Sequence, residues 1–159
     1  MDEINASERY FKRNGSNYWS DLIIKEKEED CRYIGQVGSS HWIASFVSLG
    51  IMGEIMCTFP DVFTIDAFTD EHIEQLVSGL IKVFKYYMST GVFSFNASLF
   101  FGPEHQGYFS SHFRIIPRTF LNTRDFAPDI NFFQALLSES ISVMLPERLC
   151  IEVKEFFRA

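Results

Sequence analysis

Apolar positions along the chain recur with two different periods, and the change of period marks the elements. From Asp70 to Met88, Ile73, Leu76, Val77, Leu80, Ile81, Phe84 and Tyr87 or Met88 follow helical spacing. This predicts a long helix over about 70–88. Thr69 stands at the N-cap, Asp70 and Glu71 suit the positive end of the helix dipole, and Gly91 is placed to end the helix. The stretches "VFSFNASLFF" (92–101) and "GYFSSHFRIIP" (107–117) instead alternate residue by residue and read as strands joined by the short "GPEHQ", with Pro117 stopping the second. Upstream, "CRYIGQV", "HWIASFVSL" and "EIMCTFP" favour strands, punctuated by Gly35, Gly38, Gly50 and Gly53. "YWSDLIIKEKEED" (18–30) offers a short helix that brings Leu22, Ile23 and Glu26 near one another and ends in a charge-rich solvated face. "INFFQALLSESISVM" and "PERLCIEVKEFF" predict C-terminal helices, the latter with Pro146 in its first turn. Residues 1–17 are polar and read as a loose arm before a single domain over 18–159. Strands flanked by segregated helices predict an α+β architecture around a mostly antiparallel sheet.

Side chains alternate along a strand, so residues two apart share a face. On the first strand of the last pair, Phe93, Phe95, Ala97, Leu99 and Phe101 oppose Ser94, Asn96 and Ser98. On the second, Phe109, Ser111, Phe113 and Ile115 oppose Ser110, His112, Arg114 and Ile116. If the two strands are neighbours with their apolar sides on a core, the other surface carries Ser94, Asn96, Ser98, Ser110, His112 and Arg114. That set suits a phosphate: arginine offers a fixed fork, and the hydroxyls and amide are directed donors. Neutral imidazole can donate a hydrogen bond or attack phosphorus. The plainer alternative is an ordinary solvent-facing strand pair, and the alternation alone is compatible with both.

Composition narrows the partner. The chain has 159 residues, 47% of them apolar and 18 of them phenylalanine, with a formal charge of −7. An acidic chain lacks the clustered cations of a nucleic-acid groove, whereas a small phosphorylated ligand needs only one or two. Cys31, Cys57 and Cys150 are odd in number, with no CxxC pair, which argues for reduced thiols and a cytoplasmic setting. The opening "MDEINASERYFKRNGS" has no apolar core of signal-peptide type, and no run reaches membrane-spanning length. His41 and His105 have no partner at ligand spacing, so neither a metal nor another cofactor is expected. His72, off the helix stripe, reads as an exposed polar residue. The aromatic-rich "HWIASFVSLGIMGEIM" offers an apolar surface for self-association.

At "SHFRIIP" the sequence resembles the histidine-triad (HIT) superfamily, whose strand motif is His-φ-His-φ-His-φ-φ, with φ apolar. Setting the central histidine on His112 puts Ser110 and Arg114 in the flanking positions, and Ile115 and Ile116 in the closing pair. "NASLFFGPEHQG" is similar to the superfamily's Asn-containing strand and phosphate loop, with Gln106 in the glutamine's place. "SNYWSDLIIKEKEEDCRYIG", "HWIASFVSLGIMGEIMCTFP", "FTDEHIEQL" and "YYMSTGVFSFNASLF" resemble, in order, the C-terminal half of galactose-1-phosphate uridylyltransferases, from about Asn17 onward.

The resemblance implies a HIT-like domain binding a nucleotide or sugar phosphate, such as a UDP-sugar or hexose 1-phosphate, through Asn96, Ser98, Gln106, Ser110 and Arg114. It also implies a homodimer or a partner half-domain. Those enzymes place the nucleophile in a His-Pro-His element of the first half, which this sequence lacks. In some members the second half holds a metal through two alternate histidines; Arg114 stands where one would be, and an obligate cation cannot ligate. Two alternatives follow: a stand-alone nucleotide phosphohydrolase with His112 as nucleophile, and a non-catalytic self-associating scaffold.

Overall fold

The computed structural model describes residues 2–103, 107–118 and 142–158. Five strands form one sheet: β1 (Tyr33–Val37), β2 (Ser40–Ala44), β3 (Ile55–Phe59), β4 (Phe95–Phe100) and β5 (Ser111–Pro117). Their order is β1-β2-β3-β5-β4, and every neighbouring pair is antiparallel. The helices are α1 (Asp2–Asn14), α2 (Tyr18–Glu29), α3 (Asp70–Ser89) and α4 (Pro146–Arg158). The α+β class and the neighbouring pair β4–β5 agree with the sequence pattern. Most of the helix expected from "INFFQALLSESISVM" lies outside the described residues.

Alternation along the strands gives the sheet two apolar faces. Trp42, Ala44, Ile55, Cys57, Phe59 and Ile115 point to one side and join residues of α3 and α4 in the larger core. Ile43 and Met56 point to the other, where Trp19 and Ile23 of α2 cover them together with Phe109. Burying this much apolar side chain, at roughly 1.5–3 kcal/mol for each large residue, is what holds three layers together. The central strands β2 and β3 are buried throughout. Most of the aromatic-rich stretch therefore lies in the core, and its exposed apolar residues are Phe46, Val47 and Leu49, in the loop between β2 and β3.

Two local expectations change. Residues 2–14 are helix α1, not a loose arm: Ser7 is buried, and the Tyr10 hydroxyl donates to Asp21 Oδ2 at 3.0 Å. On α3 the buried positions are Leu76, Gly79, Val83, Tyr86 and Tyr87, while Ile73, Val77, Ile81 and Met88 stay exposed. The helix is apolar on more than one side, and Gly79 decides which side meets the sheet: a Cβ there would lie 2.1 Å from the Trp42 ring. His72 is not a free polar residue either, since its Nδ1 accepts the Thr69 N–H at 3.0 Å and closes a capping box.

Candidate functional site

Strand register brings most of the expected residues onto one face. Ser98 lies opposite Arg114, Phe100 opposite His112, and Asn96 opposite Ile116; β3 places Thr58 opposite His112 and Met56 opposite Arg114. This is not an open polar surface, because α1 and α2 pack over it. Asn96 and Ser98 are exposed, whereas Ser110 and His112 are 0% exposed. The Ser110 hydroxyl donates to the Pro60 carbonyl at 2.7 Å, so its donor ties the start of β5 to the turn after β3 instead of facing a ligand. Gln106 and His105 lie outside the described residues.

His112 is enclosed by rings. The Trp19 indole stacks on it with centroids 4.1 Å apart, Phe100 stacks on it at 4.9 Å, and Phe109 is tilted against it at 5.3 Å. Nδ1 lies 3.0 Å from the Ser110 carbonyl oxygen, an acceptor, so Nδ1 carries the proton and Nε2 the lone pair. Nε2 is buried with no hydrogen-bond partner; the nearest carboxylate oxygen, Glu3 Oε1, is 3.7 Å away. Burial pushes the pKa down to about 4, the Arg114 cation adds to this, and the bond to the Ser110 carbonyl opposes it. The ring is neutral at pH 7. That tautomer is the one a phosphorus nucleophile needs, but no phosphoryl group can reach a sealed Nε2 in this arrangement.

Arg114 is the charged centre of the face. Its Nε donates to Glu54, a fully buried carboxylate whose other oxygen accepts the Leu49 N–H at 2.9 Å. Nη1 faces Glu3 Oε1 at 3.6 Å. Burial raises the pKa of Glu3, and Arg114 works against that rise.

Beside Arg114 a cavity of about 640 Å³ opens between α1, α2 and the loop after β2. Arg114 and Arg32 both line it, as do Trp19, Glu26, Tyr18 and Phe46. Arg32 donates from Nε and Nη2 to Glu26 Oε1, at 3.0 and 2.8 Å, and lies over the Phe46 ring. Glu26 Oε2 and Trp19 Nε1 are buried without hydrogen-bond partners. Both atoms are enclosed as His112 Nε2 is, and an unpaired buried polar atom of this kind is costly. His112 does not line the cavity; it stands one ring behind, under Trp19.

The sequence pattern does not single out Trp19, Arg32, Glu54 or Glu3, and it places Glu26 beside Leu22 and Ile23 without a role. Glu26 fell within a segment read as a solvated charged face, yet it is 3% exposed. The spacing of Trp19, Ile23 and Glu26 along one helix side was the available signal. Among the described residues no three His, Cys, Asp or Glu side chains come together to hold a metal, and no helix is long and apolar enough to cross a membrane.

No family model matches the chain. A curated protein of Archaeoglobus fulgidus, described only as uncharacterized, is 26% identical over 144 residues, covering 91% of this chain and 42% of its own length. A solved uridylyltransferase superposes with a TM-score of 0.81 at 15% identity, covering 99% of this chain and 50% of that one. A uridylyltransferase mutant gives 0.78 at 18% identity, with 99% and 52% covered. The fold is thus HIT-like, that of half a uridylyltransferase, and the chain spans about half the length of the proteins it matches.

Proposed function

We propose that this chain is a binding half-domain of a nucleotidyl-transfer system, taking a nucleotide or sugar phosphate in the cavity beside Arg114 and leaving the chemistry to a second half of the same fold. The observation that carries the reading is the cavity wall itself: Arg114 and Arg32 stand in the same lining as the Trp19, Tyr18 and Phe46 rings. Arg114 supplies the cation for a phosphate. Trp19, Tyr18 and Phe46 supply aromatic surface for a base or sugar. Asn96 and Ser98, exposed on the same sheet face, extend the polar surface toward the open edge of the sheet.

A non-catalytic role is favoured over the His112 hydrolase because Nε2 is sealed and Arg114, in the place of a flanking histidine, cannot accept a proton. The second half, a further copy of this chain in the simplest case, has a place to pair. Strand β4 is exposed from Phe95 to Leu99, and its outer side has no strand partner among the described residues.

Calorimetric titration with UMP, UDP-glucose and galactose 1-phosphate tests the binding role. Binding heat with at least one, weakened at least tenfold by Arg114→Met, is expected. No heat and no thermal shift with any of the three would remove the reading. Turnover of UDP-glucose by the isolated chain, abolished in His112→Asn, would favour the hydrolase instead.

A further inference from the structure

Helix α1 puts a carboxylate where the proposed ligand would put its phosphate. Glu3 Oε1 lies 3.6 Å from Nη1 of Arg114, which lines the cavity, and 3.7 Å from Nε2 of His112, which does not. The same helix walls the cavity with Ala6, Ser7 and Tyr10. We propose that α1 is a strap that docks into its own anion site, with Glu3 as an internal competitor that a bound phosphate must displace. The inference rests on the phosphate-site reading above and adds its regulation.

Three features suit α1 to this role. Its connection to α2 is short and turns at Gly15, whose φ of 71° is open mainly to glycine and whose N–H donates to the Phe11 carbonyl at 2.8 Å to end the helix. Its anchorage is mostly local: Tyr10 and Ser16 donate to Asp21, the Tyr10 ring meets Tyr18 edge-on, and Ser7 is buried. Ile4 is the α1 side chain packed on the core beneath, a small apolar contact of the kind found in segments that open below the cost of global unfolding. Finally, Glu3 gains little by staying. It shares Arg114 with Glu54, and both burial and the Glu54 charge disfavour its ionised form. Against the same Glu54 charge, a phosphate offers Arg114 several acceptor oxygens, and so a bidentate contact, in place of one carboxylate oxygen.

The test compares wild type with Glu3→Gln, using UMP and inorganic phosphate as probes, and follows amide hydrogen exchange of wild type with and without UMP. The strap predicts about fivefold tighter UMP binding by Glu3→Gln, the size of effect expected for removing one partly exposed ion-pair competitor. It also predicts faster exchange of amides 3–14 when UMP binds, while those of α2 do not speed up. If wild type binds UMP but Glu3→Gln binds it no tighter, the strap is wrong and the phosphate site stands. Slower exchange in 3–14 on binding would equally overturn it, by making α1 part of the ligand's grip. Failure of both proteins to bind either probe would overturn the site and the strap together.

Discussion

The indole of Trp19 lies across the imidazole of His112 with centroids 4.1 Å apart and planes inclined by 23°. One residue of α2 thus turns the histidine of β5 from a surface group into a core group, and this has a thermodynamic signature. His112 titrates at about 4 in the folded protein against 6.5 ordinarily, because burial penalises the imidazolium. Between those values the unfolded chain binds a proton that the folded chain refuses, so stability is complete above pH 6.5 and falls as pH drops toward 4. At about 1.4 kcal/mol per unit, the loss is on the order of 3 kcal/mol. His41, hydrogen-bonded to the Tyr33 hydroxyl at 2.9 Å and also lowered to about 4, adds to the same window. Urea unfolding at pH 7, 6 and 5 measures the slope. In His112→Gln it should shrink by about half, and an unchanged slope would mean the ring is not buried neutral.

The Arg114–Glu54 pair is expected to behave as a buried ion pair. Glu54 is 0% exposed, so removing its partner leaves a carboxylate with one N–H donor and no countercharge. Arg114→Met should cost about 3 kcal/mol or more, whereas Arg114→Met combined with Glu54→Leu should recover most of that loss. Denaturant midpoints of the two single variants and the double variant complete the cycle. Additive losses would show that the two side chains do not depend on each other.

At Gly79 the expected outcome reverses the usual helix rule. Glycine to alanine inside an exposed helix gains about 1 kcal/mol from propensity. Here the new methyl would sit 2.1 Å from the fully buried Trp42 ring, within the contact of α3 with the sheet. Gly79→Ala should therefore destabilise by about 2 kcal/mol, the range for an overfilled core. Thermal unfolding decides it, and a raised midpoint would contradict the close approach.

The legible parts of this fold were those governed by local period. The α3 pattern, the alternation of β4 and β5 and the Thr69 cap were all readable, because each depends on residues a few positions apart. What could not be read was which helix covers which face. Nothing local says that Trp19 will close over His112, since that contact joins α2 to β5 across most of the chain. The α3 stripe was misassigned for a related reason: Ile73, Val77 and Ile81 are apolar and well spaced, but the side presenting a glycine is the one that can approach Trp42. Among site residues, the shared face of Asn96, Ser98, His112 and Arg114 followed from alternation alone. The carboxylates Glu3 and Glu54, which neutralise Arg114, come from distant segments with no spacing rule to announce them.

The open edge of the sheet yields the last prediction. A strand exposed from Phe95 to Leu99, whose outer side has no strand partner among the described residues, invites a second strand. Beside it the surface is apolar: Phe93 is 84% exposed, and Phe95, Leu99, Ile81 and Val77 are exposed as well. Phe84 of α3 packs its ring against Phe95, with centroids 5.1 Å apart, so helix and edge strand carry adjoining parts of this apolar surface. If a second half pairs here, light scattering should give twice the chain mass at micromolar concentration. Phe95→Lys, which puts a charge on the edge strand, and Ile81→Glu, which puts one on the neighbouring helix, should each shift the protein toward monomer. Ile81→Glu should lose no more than about 0.5 kcal/mol of stability, whereas Phe95→Lys also loses the ring contact with Phe84 and should lose about 1 kcal/mol more. A monomeric wild type would leave the edge to a different half-domain, and a dimer indifferent to both substitutions would place the interface elsewhere.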